Sequence, residues 1–269
     1  QGWFRVSEPE PGVFAIEEPL HAERVASFLI VGTQRALLVD AGMGVGDLPA
    51  LIATLTDRPV TLLVSHAHFD HVGSAHRFAG RAPILVHPLE ADRLRAGMEA
   101  AQIAQFFEPK QLSGRLPEGF STEGFAIPGV EPTGFAVDGD AIDLGGRAIE
   151  IIEAPGHAPG LLALLDRSSG ALFTTDAYYD GPLYAHLPGA DLVAYRATMR
   201  RLAARAPEVS YLDPSHNERP LPPARLEAAA AAFDELAAGR APDAMEDGAA
   251  CYEYGDFSIL TSVGDGGAA

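Results

Sequence analysis

The six residues His66-Ala67-His68-Phe69-Asp70-His71 carry four side chains that can bind a metal ion. They follow Thr61-Leu62-Leu63-Val64, an apolar run that reads as a buried strand. Two imidazoles spaced by one residue point the same way as the chain leaves a strand, and a carboxylate and a third imidazole follow on the next turn. One short segment can therefore face two metals. Three histidines and an aspartate at one strand end, in a chain with only nine histidines, point to metal binding.

Three other segments each end an apolar run on a residue of the same kind. His157 follows 149–156, Asp176 follows Ala171-Leu172-Phe173-Thr174-Thr175, and His216 follows 209–215. Loops at strand ends are where sites are usually built. Alone, an aspartate after a strand reads as a turn residue and a lone histidine as structural; beside the first cluster, all three read as ligands. Five imidazoles and two carboxylates without a thiolate suit zinc, and the same mixture accepts iron or manganese.

The elements that must position these residues can be read coarsely. Short strands are expected at 13–17, 27–31 and 36–40, the last two joined by a hairpin across Gly32-Thr33-Gln34-Arg35. A helix at 47–55, a strand at 60–65, a short helix at 73–79 and a strand at 83–87 follow. The second half echoes the first, with strands across 135–144 and 147–154, a hairpin of 161–166 and 171–175, a helix at 191–205 and a strand at 209–213. One Ala-rich helix at 222–238 and a final strand at 252–260 close the pattern. Residues 88–132 stand apart as an insertion, helical over 88–104 and then Pro/Gly-rich without a period. The insertion reads as an irregular wrap over the core or as a lid whose Phe106, Phe107, Phe120 and Phe125 line an acyl pocket.

At 269 residues and 47% hydrophobic, with no Gly/Ser linker or composition break, the chain reads as one domain over 1–269. Its single cysteine, Cys251, cannot form an internal disulfide, and no apolar run approaches the length of a membrane span. The expectation is a soluble cytoplasmic protein that does not enter a membrane. The first residue is Gln1 rather than Met, which leaves room for a leader cleaved upstream. The formal net charge of −18 repels phosphodiester backbones, so a small-molecule substrate is expected and a nucleic-acid partner is not. Arg115, Arg196 and Arg219 are candidates for holding an anionic group, with a solvated surface role as the plainer reading. The sequence does not set an oligomeric state.

Taken in order, HAHFDH (66–71), LLVDAGMG (37–44), APGHAPG (154–160), LFTTDAYY (172–179) and DPSHN (213–217) make the chain resemble the metallo-β-lactamase fold superfamily over roughly residues 13–260. The resemblance implies an α/β fold, an αββα sandwich of two packed mixed sheets with helices on the outer faces. It implies that His66, His68 and His157 hold one ion, that Asp70, His71 and His216 hold a second, and that Asp176 bridges them. Zinc β-lactamases of the superfamily place a Cys or Ser in the region of Asp176. The departure points away from antibiotic hydrolysis and towards the branch with glyoxalase II, lactonases and acyl-CoA thioesterases. The tail after His216 is too short for the helical substrate domain of glyoxalase II, which argues against glutathione thioesters. The run at 178–184, with Gly2-Trp3-Phe4 and the 38–44 segment, is similar to the acyl-CoA thioesterase type.

These expectations describe a dinuclear hydrolase with two Zn2+, Fe or Mn being possible substitutes, that cleaves a carboxylic ester, thioester or lactone by attack of metal-bound hydroxide. Two ions less two carboxylates and one hydroxide leave a centre of about +1, which favours a developing oxyanion. Asp70 would act on the reaction as a ligand of the second ion. Tyr179, three residues after Asp176, matches a tyrosine that contacts the substrate carbonyl in acyl-homoserine-lactone lactonases and could donate to an oxyanion. The alternatives are an iron-dependent persulfide dioxygenase of the same fold, a β-lactamase-like amide hydrolase, and a metal-bearing binding protein without turnover. Asp40 and Ser65, and more weakly Asp213, are expected to orient ligand imidazoles. His76 and His87 read as structural, His186 as a residue near the site mouth, and His21 has no sequence context.

Overall fold

A computed structural model describes residues 2–263. Among them the chain forms two compact units, one built on residues 2–136 and 142–148, the other on 137–141 and 149–263. Each has its own apolar core.

The first unit is built on a seven-stranded sheet in sequence order. Strands β1 (Arg5–Glu10), β2 (Val13–Glu17), β3 (Ala26–Val31) and β4 (Ala36–Val39) run as an antiparallel meander, with the expected hairpin between β3 and β4. Helix α1 (Leu48–Leu55) then returns the chain to β5 (Val60–Val64), which lies parallel to β4. The Asp47 carboxylate caps α1 by accepting from the Ala50 amide at 3.2 Å, and Leu48 and Ile52 face the core. Helix α2 (Phe69–Val72), strand β6 (Ile84–Val86), helices α3 (Ala91–Ala96) and α4 (Ala100–Ile103) and the two-residue β7 (Gly134–Phe135) complete the unit. The central strands β4 and β5 pair on both edges; β4 is apolar and buried throughout, and β5, apolar but for Thr61, is buried over Leu62–Val64.

The second unit is built on β9 (Ala148–Glu153), β10 (Leu162–Asp166), β11 (Ala171–Thr175) and, after β12 (Pro182–Ala185) and α5 (Leu192–Ala204), β13 (Tyr211–Pro214), in a five-stranded sheet ordered β13-β11-β10-β9-β8 whose edge strand β8 (Ala141–Asp143) falls at the boundary of the two residue sets. Helix α6 (Ala224–Ala237) packs on α5 through Tyr195 and Phe233, whose rings lie 4.6 Å apart. A third sheet, absent from the sequence reading, orders β12 beside β16 (Ser258–Thr261), β15 (Ala249–Glu253) and β14 (Ala244–Glu246).

The differences from the sequence reading have local causes. The short helix expected at 73–79 starts earlier, inside the HAHFDH segment, and a 3-10 turn at Ala75–Phe78 follows it. The Gly73 and Ser74 amides donate to Gly42 and Ala41 carbonyls, 2.7 and 3.0 Å away, which takes them out of any helical ladder. The helix expected over 88–104 breaks at Gly97, whose φ of +64 is left-handed, and Met98 there exchanges backbone hydrogen bonds with Ile127. Strand β1 is a largely exposed edge strand containing Pro9, with no apolar alternation to announce it. Among the described residues, no helix is long and apolar enough to cross a membrane.

Candidate metal centre

In the first unit Val39 of β4 pairs with Leu63 of β5, so Asp40 and Ser65-His66 leave the sheet side by side. The Asp40 carboxylate accepts from the Ser65 amide (2.7 Å) and hydroxyl (2.8 Å) and lies 2.8 Å from Nδ1 of His71. Nδ1 therefore carries the ring proton, and Nε2 of His71 presents its lone pair, facing Asp70 Oδ2 at 3.6 Å. His66 Nδ1 faces Ser65 Oγ at 3.1 Å, and its Nε2 faces His68 Nδ1, also at 3.1 Å. His66, Asp70 and His71 are buried and His68 is half-buried. Asp40 and Ser65 thus contact the imidazoles that they are expected to orient.

The Asp40-Ala41-Gly42-Met43-Gly44 turn clamps this cluster. The Ala41 amide donates to the His71 carbonyl at 2.7 Å, and a Cβ on Gly73 would come within 2.1 Å of the Met43 carbonyl carbon, so only glycine fits there. Arg77 donates to the carbonyls of Gly44 (2.9 Å) and Gly46 (2.8 Å). Two buried acids complete the support, and sequence reasoning missed both. Glu90 accepts from the Ala67 amide, between His66 and His68, at 3.1 Å. Glu18 accepts from the Met43 amide at 2.8 Å and from the Trp3 indole. Burial pushes the Glu18 carboxyl up to about 7 against these two hydrogen bonds, with the nearby Asp70 charge adding to the rise and Arg77 opposing it.

In the second unit β9 and β11 both run antiparallel to β10, and β13 runs parallel to β11. These three strands therefore point the same way, and His157, Asp176 and His216 each follow the end of one of them. Nδ1 of His157 lies 3.3 Å from the Tyr184 carbonyl, which leaves Nε2 facing Asp176 Oδ2 at 3.5 Å. His216 Nε2 lies 3.2 Å from the same oxygen. One carboxylate oxygen thus sits between two imidazoles. The buried Tyr195 hydroxyl, within reach of the Asp176 (3.1 Å) and Ala177 (2.9 Å) carbonyls, holds this loop, and burial raises its pKa well above the ordinary tyrosine value. Gly156 is required by the same residue, because a Cβ there would come 2.3 Å from the Tyr195 Cα.

Left-handed backbone accumulates at these positions. Asp40 (φ +64), Thr175 (φ +49) and Asn217 (φ +60) are non-glycine residues with positive φ, and they coincide with or adjoin Asp40, Asp176 and His216. A β-branched residue such as Thr175 resists this conformation, and its hydroxyl is held by the Leu162 and Thr174 carbonyls at 2.8 Å. Tyr179 packs its ring 5.0 Å from that of His216, while its hydroxyl donates to the Pro182 carbonyl.

The remaining candidates sit elsewhere in each unit. His21 spends both ring nitrogens on backbone, Nδ1 accepting from the Glu23 amide (3.1 Å) and Nε2 meeting the Phe106 carbonyl (2.6 Å). His87 caps a 3-10 turn by accepting from the Leu89 amide, and His186 Nδ1 lies 3.3 Å from the Leu260 carbonyl. Arg196 pairs with Asp234, Arg219 lies 3.7 Å from Asp213, and Arg115 is exposed.

The family model of the metallo-β-lactamase superfamily matches residues 22–241. Among curated relatives, the acyl-coenzyme A thioesterase MBLAC2 of Gallus gallus is 29% identical over 211 residues, covering 74% of this chain and 75% of the relative. The Homo sapiens protein of the same name is 29% identical over 214 residues with the same coverage. A solved metallo-β-lactamase from Pontibacter korlensis superposes with a TM-score of 0.64 at 16% identity, covering 86% of this chain and 99% of that one. A metallo-β-lactamase family protein from Thermus thermophilus gives 0.62 at 21% identity, with 84% and 81% covered. At such identities the likeness establishes the fold.

Proposed function

Because this chain belongs to the metallo-β-lactamase superfamily, we propose that it is a dinuclear, zinc-dependent hydrolase of acyl thioesters. His66, His68 and His157 would hold one ion, Asp70, His71 and His216 the second, and Asp176 would be shared. Bound ions of this kind supply Lewis acidity and draw the pKa of a water toward neutrality. The donor set fits them, being imidazole and carboxylate throughout. The chain's own groups then keep three of the donors aimed: the Asp40 carboxylate fixes the proton of His71, the Ser65 hydroxyl meets His66, and the main-chain carbonyl of Tyr184 meets His157.

One observation carries the reading. In His66, His71 and His157, one ring nitrogen is held by a neighbouring oxygen and the other faces a further proposed ligand. Imidazoles that hold metals are oriented in this manner. His21, by contrast, uses both nitrogens on backbone groups. The thioester preference is supported by the acyl-coenzyme A thioesterase relatives, and esters and lactones share the same chemistry at the carbonyl. The net charge of −18 favours a small-molecule substrate over a nucleic acid. Tyr179 would assist an oxyanion only by releasing Pro182.

A panel of acyl-CoA thioesters, lactones, aryl esters and a cephalosporin, assayed with zinc-loaded protein under argon, tests the proposal. Thiol release from the thioesters should exceed turnover of the others. Turnover confined to lactones or the cephalosporin, or dependent on O2, would overturn it.

A further inference from the structure

The aromatic residues of the 104–127 segment are joined to the metal motif through Phe69, which stands between His68 and Asp70. The Phe69 ring stacks on Phe106 with centroids 4.1 Å apart and meets Phe107 edge-on at 6.5 Å. Phe107 continues the chain of contacts to Phe125 at 5.0 Å and Phe120 at 6.4 Å, and the last two touch at 4.9 Å. Beyond Phe107 lies an open cavity of about 650 Å³, whose lining combines Phe107, Leu112, Leu116 and Phe120 with Arg115, Glu118 and several proline, glycine and threonine positions. Its volume is in the ordinary range of ligand pockets.

This segment is tied down where it meets the rest of the unit. The Ala22 amide donates to Gln111 and the Ser113 amide to Leu20, each at 2.8 Å, and His21 holds the Phe106 carbonyl. A Cβ on Gly114 would come 2.8 Å from the Leu20 side chain. The walls are thereby built in place, although few of them are needed for the core: Phe120, Leu112 and Leu116 are only partly buried.

We propose that this cavity takes the linear acyl chain of a thioester substrate, with the Phe69–Phe106–Phe107 contacts forming the wall that leads from the metal motif into it. The proposal rests on the thioester reading above and adds the location and the chemistry of the recognised group. Charge favours the acyl end as the source of affinity. A chain of net charge −18 repels the phosphates of a CoA thioester, whereas a hydrocarbon tail has no charge to repel. The largest uncharged side chains of the lining, Phe107, Leu112, Leu116 and Phe120, are apolar, and Arg115 and Glu118 bring one charge of each sign, so a neutral chain laid along those four is the group they match.

Chain length is the test. Equilibrium dissociation constants for the ethyl, butyl, hexyl, octyl and decyl thioethers of CoA, which have no carbonyl to hydrolyse, should fall about three- to fourfold per methylene until the cavity is filled. Leu116→Trp, which narrows the cavity without adding charge, should bring the plateau to a shorter chain. Phe120→Asp should flatten the slope, with metal content and Tm checking that both variants fold. A flat series in the parent protein, or slopes unchanged in both folded variants, would overturn the proposal. A steep series together with no hydrolysis of the matching thioesters would leave the cavity as a hydrocarbon site and refute the thioesterase reading instead.

Discussion

The two units assemble their metal-type side chains in opposite ways. In the first, four come from six consecutive residues at the junction of β5 and α2. In the second, three come from three separate strand ends, and only the common direction of β9, β11 and β13 places them together. Local geometry governs the first set and sheet topology governs the second. The first can be recognised in isolation, while the second is a set of ordinary-looking residues until the strand order is known.

Substituting one carboxylate from each set gives the largest expected effect. Asp176→Ala removes the oxygen that lies between His157 and His216, and should lower turnover by about a hundredfold to a thousandfold while reducing the metal held per chain. Asp70→Asn keeps the shape of its side chain and should cost less, about tenfold to a hundredfold. Metal analysis alongside steady-state rates checks both. If Asp176→Ala keeps full metal content and rate, the second set is structural.

The pH dependence of stability should separate the units next. Glu18, which supports the first set through Met43, has a carboxyl raised by burial from 4.5 to about 7 in the folded protein. The folded state then keeps a proton that the unfolded chain loses. The stabilisation is full below the unfolded value of 4.5, is lost as pH rises to about 7, and is flat above that. The change amounts to about 3 kcal/mol. Tyr195, which supports the second set, is a phenol that stays protonated throughout this range, and its burial moves its titration further away from it. Denaturation of metal-free protein from pH 4 to 8 should show the slope in the parent and a shallower one in Glu18→Gln. Equal slopes would remove Glu18 from this role.

Asp40→Asn tests the first unit's internal support at a smaller scale. It should weaken metal affinity about tenfold to a hundredfold, because Ser65 and His71 lose a shared charged acceptor. An unchanged affinity by chelator competition would show that His71 needs no partner. Tyr179→Phe in the second unit should have the smallest effect, a loss in turnover below about tenfold, since the hydroxyl already donates to Pro182. A larger loss with metal content intact would mean that the hydroxyl leaves Pro182 during turnover.

The same contrast explains what could be read from the chain. HAHFDH was legible because its spacing encodes its geometry, as were β2 to β6 through their apolar runs, whereas the Asp40–Gly44 segment stood out only through the family resemblance. Glu18 and Glu90 gave no signal. Each acts on backbone amides 25 and 23 residues away, a pairing that nothing in a single sequence marks. The strand expected at 252–260 is in fact the hairpin of β15 and β16, and the third sheet was not legible because β14, β15 and β16 are three to five residues long and carry no clean alternation. The break at Gly97 was hidden because 88–104 keeps helical spacing on both sides of it, and the Met98–Ile127 pairing overrides propensity there.

A zinc titration of metal-free protein under argon, reading thiol released from an acyl-CoA thioester, tests the central claim most directly. The account predicts that the rate climbs and reaches its plateau at about two zinc ions per chain, with no oxygen consumed. A plateau at one ion, or thiol release only after iron and O2 are supplied, would contradict it.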